Sequence, residues 1–143
     1  MMRATIVNDP IDIGSLTREA ESDSCGATAV FLGTVRSTNE GRNVDGIEYS
    51  AYEEMAEKEM MAILGEAAAK FVIRQGIIEH RIGVLAVGDI SIAVVVAHPH
   101  RHHAMDALRY IIDETKARAT IWKLEHYTDG SREWVGAGTG QPR

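Results

Sequence analysis

The spacing of apolar and polar positions changes several times along the chain. Residues 3–7 form a short strand-like run stopped by Asn8-Asp9-Pro10, and residues 15–21 predict a short helix capped by Ser15, with Arg18 and Glu19 in its first turns. Residues 27–35 alternate loosely and carry β-branched and aromatic side chains, so they read as a strand. Residues 37–44 are polar, contain Gly41 and predict a mobile loop, after which residues 46–51 predict another strand. From Tyr52 the period lengthens. Tyr52, Met55, Ala56, Ile63, Leu64, Ala67 and Phe71 recur near helical spacing with Glu and Lys between them, and the methionines read as core filler. Residues 76–81, 84–87 and 90–97 then predict strands, with turns at Ile82-Gly83 and Gly88-Asp89. The last of these is apolar enough throughout to be a central strand. A second amphipathic helix carries Ala104, Ala107, Leu108, Ile111 and Ile112 on one face, and a short apolar run around Lys123 closes the pattern as a strand. Mixed elements without strict β-α alternation predict an α+β fold with two main amphipathic helices.

Composition narrows the classes. A chain of 143 residues fits a single domain with a real core, and no linker or repeat divides it; prolines occur only at Pro10, Pro99 and Pro142. The formal net charge of -6 argues against general nucleic-acid binding, which needs a basic face. One cysteine, Cys25, excludes an intramolecular disulfide and fits a reducing compartment. No apolar run approaches the about 20 residues needed to span a bilayer, and the first residues carry no secretory signal pattern. The expectation is a cytoplasmic protein that does not enter the membrane.

Against that acidic background, cations concentrate in one region. Asp113-Glu114-Thr115-Lys116 closes a helix-like run, and Ile121-Trp122-Lys123-Leu124-Glu125 follows as a strand; a turn between them would bring both ammonium groups to one pocket. His98-Pro99-His100-Arg101 opens the same helix. Free backbone N–H groups there favour negative charge, and Arg101 can fork to a phosphate. Convergence of these groups predicts a site for an anionic substrate. A metal reading competes: His100 and His103 share a helix face, as do His102 and Asp106, but no HExxH or cysteine-rich spacing completes a ligand set. Arg36, at a strand end beside the polar loop, reads on its own as a surface charge. Cys25 lacks a partner that would activate it, Trp122 and Trp134 read as core or interface aromatics, and the glycine-rich segment 136–140 reads as a loose tail rather than a phosphate cradle.

From about residue 26 to 135 the chain resembles the large, catalytic subunit of molybdopterin synthase, the MoaE family. The matching residues are Phe31-Leu32-Gly33-Thr34-Val35-Arg36, Glu48-Tyr49-Ser50-Ala51-Tyr52-Glu53-Glu54-Met55-Ala56 and His80-Arg81-Ile82-Gly83. They continue with His100-Arg101, Asp113-Glu114-Thr115-Lys116, Ile121-Trp122-Lys123-Leu124-Glu125 and Trp134-Val135. Each match is weak alone; their order and spacing together are specific.

The resemblance implies a single hammerhead-type α+β domain with antiparallel sheets, and a sulfurtransferase activity. The family installs the dithiolene sulfurs of molybdopterin on cyclic pyranopterin monophosphate. Sulfur arrives on the C-terminal thiocarboxylate of a small ubiquitin-like subunit, and two large subunits form the central homodimer of a heterotetramer. No cofactor or metal is implied. The resemblance makes Lys116 and Lys123 catalytic and assigns Thr34, Val35, Arg36, His100, Arg101, Lys116, Lys123, Leu124 and Glu125 to the substrate. One lysine would shuttle protons and the other stabilise an oxyanion. The chain departs from the family at Thr120, where proline is usual and the turn is expected to be less rigid, at Leu124, where a basic residue is common, and at His98, where a small residue is usual. Two rival classes are a metal enzyme built on His98 to His103 and a non-catalytic adaptor for a ubiquitin-like partner. Bound metal after dialysis would favour the first, whereas the cationic set of Arg36 and both lysines argues against the second.

Overall fold

A computed structural model describes residues 1–135. Twelve elements follow one another: β1 (Met2–Val7), α1 (Ile13–Glu19), β2 (Ala27–Thr34), β3 (Thr38–Asn39), β4 (Arg42–Ala51), α2 (Glu53–Phe71), β5 (Gln75–Arg81), β6 (Gly83–Ala86), β7 (Ile90–His98), α3 (Arg101–Arg118), β8 (Ile121–Tyr127) and β9 (Arg132–Val135). The fold is α+β. One sheet runs β1-β5-β7-β2, and the other runs β3-β4-β8-β9 with β6 on β4. The second sheet is antiparallel, whereas the β1–β5 pair makes the first one mixed.

Burial explains the continuous apolar run of β7. Val94 and Val96 face α2 and α3, packing with Met60, Ile63, Leu64, Ala107 and Ile111. Ala93 and Val95 face the other way, onto Leu16 and Ala20 at α1. A strand covered on both faces needs no polar alternation. In α2 the inward stripe is Ala56, Met60, Ile63, Leu64 and Ala67. Of its methionines only Met60 fills the core, since Met55 and Met61 fall outside that stripe and are exposed, as is Met105 on α3. Among the described residues no helix is long and apolar enough to cross a membrane.

Two local expectations are corrected. Helix α1 starts two residues early, at Ile13, because the Asp12 carboxylate accepts the Ser15 N–H at 3.2 Å and caps it in place of Ser15. The stretch expected as a mobile loop is a tight hairpin, with Glu40 and Gly41 both at positive φ between β3 and β4. Long-range contacts hold it: the Asn39 amide donates to Glu125, while the Arg42 guanidinium lies 3.4 Å over the Tyr127 ring and pairs with Glu133. At the Thr120 turn the hydroxyl donates to the Glu59 carboxylate of α2. Segment 136–140 lies outside the described residues.

Candidate active site

A cavity of about 550 Å³ opens where the two sheets meet the end of α3. Local structure dictates what lines it. Strand β8 presents alternate residues, so Lys123 and Glu125 share the cavity face with their cross-strand partners Tyr49 and Ile47 on β4. Leu124 lies between them, opposite Glu48, and turns to the other side. Helix α3 stops at Arg118; buried Ala119 then adopts an extended conformation and its N–H returns to the Thr115 carbonyl, so strand β8 can begin at Ile121. That turn sets Lys116, in the last helical turn, at the cavity beside Lys123. From the far wall come Thr34 at the end of β2, Arg36, and Thr38 and Asn39 of the hairpin.

The cavity therefore gathers Thr34, Arg36, Lys116, Lys123 and Glu125. Its electrostatics are those of a cation cluster with one buried counter-charge. Burial, above all, and then repulsion from Lys116 lower the pKa of Lys123; Arg36 adds in the same direction and Glu125 partly opposes it. Glu125 is buried and held by two contacts from the Asn39 amide, at 2.9 and 3.1 Å. An ammonium in this setting gives up its proton more readily than a surface lysine does.

Other residues singled out in the sequence lie elsewhere. Val35 is buried among Val44, Ile47 and Leu85, with its backbone bonded to Asp89 and Gly88. His100 and Arg101 are exposed at the start of α3, and Lys116 stands 15 residues beyond Arg101, about 22 Å along a helix axis. Within one chain, then, the histidine-arginine pair does not converge with the lysines. His98 acts locally: its Nδ1 accepts the His100 N–H at 2.8 Å, and its ring lies 4.9 Å from that of His103. Burial, with the charge of His103 in second place, lowers its pKa and favours the neutral ring this bond requires. Among the described residues no group of three or more His, Cys, Asp or Glu side chains is arranged to hold a metal ion.

Residue-by-residue reading had missed Tyr49, His80, Ser91 and Thr115, all buried and all lining the cavity. The signal for two of them was cross-strand pairing: Tyr49 opposes Lys123 and His80 opposes Ile92, and both partners line the cavity.

The fold and site together define an α+β domain built around a cationic cavity, the kind of protein that receives an anionic substrate. Residues 6–118 match the family described as MoaE protein, and the chain belongs to that family. It is 42% identical over 135 residues to the molybdopterin synthase catalytic subunit of Pyrococcus abyssi, covering 93% of this chain and 90% of that one. It is 37% identical over 136 residues to the protein of the same name from Drosophila melanogaster, covering 94% of this chain but 37% of the fly protein. The chain thus spans little more than a third of the fly relatives it matches. Among solved structures, molybdopterin synthase from Staphylococcus aureus superposes with a TM-score of 0.88 at 36% identity, covering 92% of this chain and 96% of that one.

Proposed function

We propose that this chain is the catalytic subunit of a molybdopterin synthase. It would transfer sulfur from the C-terminal thiocarboxylate of a small ubiquitin-like subunit to cyclic pyranopterin monophosphate. The observation that carries this reading is the meeting of Arg36, Lys116 and Lys123 in one cavity of a chain whose net charge is -6. A cyclic phosphate and a thiocarboxylate are both anions, and each needs cations where it docks.

Roles follow from placement. Lys123, half-buried and with its pKa lowered, is the proton carrier: its neutral amine accepts a proton and its ammonium returns one. Lys116, exposed at the cavity edge, supplies the fixed positive charge for the oxyanion that forms when the thiocarboxyl carbon is attacked. Arg36 forks to the phosphate. The hydrogen bonds from the Asn39 amide to the Glu125 carboxylate fasten the β3–β4 hairpin beside the site. The reducing compartment implied by a lone cysteine suits a thiocarboxylate, and the reaction is assigned to the cytoplasm.

His100 and Arg101 belong to the substrate in the family resemblance, yet one chain holds them a helix length from Lys116. We infer that they serve the cavity of the second copy in a homodimer, at the centre of a heterotetramer. Reconstitution with thiocarboxylated small subunit tests both points. Wild-type dimers are expected to form molybdopterin from cyclic pyranopterin monophosphate, and pure Lys123→Ala or Arg101→Ala dimers to be strongly impaired. Mixed dimers of the two variants keep one intact cavity if Arg101 acts across the interface, so activity should return on mixing. No gain on mixing would mean that Arg101 serves its own chain, and no product from wild type would end the reading altogether.

A further inference from the structure

The sulfur-transfer reading employs the cations of the cavity and, apart from Glu125, leaves its buried polar floor without a task. Tyr49, His80, Ser91, Thr115 and Glu125 all line the cavity, and none is more than 8% exposed. Three are engaged within the protein: Ser91 Oγ donates to the Gly33 carbonyl at 3.2 Å, Tyr49 is hydrogen-bonded to Ser91, and Glu125 takes the Asn39 amide. Thr115 Oγ1 is buried without a hydrogen-bond partner.

His80 has a defined chemical face. Its Nδ1 lies 2.9 Å from the Arg81 carbonyl, and a carbonyl only accepts, so Nδ1 carries the proton and Nε2 the lone pair. The ring is held by an edge-on contact with Tyr49, 5.0 Å between centroids at 68°. Burial, reinforced by the charge of Lys123, pushes its pKa down to about 4, so the ring stays neutral at any ordinary assay pH. A neutral nitrogen acceptor beside the cations Arg36, Lys116 and Lys123 fits a guest with an anionic end and an uncharged heterocycle bearing an N–H group.

We propose that His80 is a substrate-binding and specificity residue, its Nε2 accepting a hydrogen bond from an N–H of the bound heterocycle. The identity of that heterocycle as a pterin rests on the sulfur-transfer reading. A lysine or arginine could not take this place, since neither has a lone pair to offer in its charged form.

Two substitutions separate the acceptor from the rest of the ring. Asparagine keeps an N–H near the position of Nδ1 and drops the distal acceptor, while glutamine carries an amide oxygen out toward the position of Nε2. His80→Asn is expected to raise KM for cyclic pyranopterin monophosphate roughly tenfold, with kcat and small-subunit affinity within about twofold, and His80→Gln to recover most of the loss. Unchanged KM in His80→Asn, or a loss in kcat alone, would overturn the assignment. A readout on the wild-type protein needs no variant to fold: nitrogen NMR of histidine-labelled enzyme should show the His80 Nε2 resonance moving upfield when the pterin is added, and not when the small subunit is added alone. A static Nε2 in an enzyme that turns over rejects the contact and leaves sulfur transfer standing. A shifted Nε2 in an enzyme that makes no molybdopterin supports the contact and rejects sulfur transfer.

Discussion

Lys123→Ala is expected to lower turnover by about 10²–10³-fold while the fold and the affinity for the small subunit survive. The side chain is half-buried on the cavity face of β8, and removing it leaves the strand pairing with β4 and β9 intact. Lys123→Arg should be nearly as damaging, because a guanidinium does not give up its proton at working pH. Lys116→Ala should cost a comparable factor for a different reason, the loss of fixed charge, and Lys116→Arg should therefore retain part of the rate. The two roles also differ in pH dependence. If the neutral amine of Lys123 is the base, wild-type kcat rises with pH along a limb below the ordinary lysine value of 10.5. Repulsion from Lys116 contributes to that lowering, so in Lys116→Ala the limb should move to higher pH. A kcat–pH profile with the limb unmoved, or moved down, would contradict the division of labour.

Arg36→Ala carries the second large effect, a rise of roughly 10–100-fold in KM for the pterin with small-subunit binding little changed. Arg36 is exposed at the cavity edge, and among the described residues it forms no salt bridge, so its guanidinium is available to an external anion. Arg36→Lys should restore only part of the affinity, since an ammonium meets a phosphate as a point charge and not as a planar fork. Substrate affinity equal in wild type, Arg36→Ala and Arg36→Lys would remove the phosphate from this position. The loss in Arg36→Ala also bears on Lys123: one repulsive charge fewer nearby should raise its pKa, in the same direction as Lys116→Ala.

Much of the architecture was legible because burial writes itself into periodicity. The double-sided cover of β7 produced the apolar run from Ile92 to Ala97, and the inward stripe of α3 produced Ala104, Ala107 and Ile111 at helical spacing. What was not legible depends on partners remote in sequence. The β3–β4 hairpin read as a loop because its fastening residues, Glu125, Tyr127 and Glu133, lie more than 80 positions away. The parallel β1–β5 pair and the Thr120–Glu59 tie are remote in the same sense. The site was half legible. The lysines came together as their spacing across a helix-to-strand turn suggested, whereas His100 and Arg101 were grouped with them because they open the same helix with cationic donors, and then by the motif. Helix geometry already argued otherwise, because 15 residues of α3 hold Arg101 and Lys116 apart. The buried floor was hidden for another reason: Tyr49, His80 and Thr115 come from three separate elements, and nothing local in the sequence joins them.

Sulfur transfer itself is tested most directly by a single turnover with radiolabelled sulfur in the thiocarboxylate of the small subunit. With wild-type protein, and equally with Cys25→Ser, the label should leave the small subunit and appear in the dithiolene of molybdopterin, because Cys25 lies outside the cavity and no relay through it is required. With Lys123→Ala the label should remain on the small subunit. Label retained by the small subunit in the wild-type reaction, or transfer that stops in Cys25→Ser while folding and binding persist, would contradict the account.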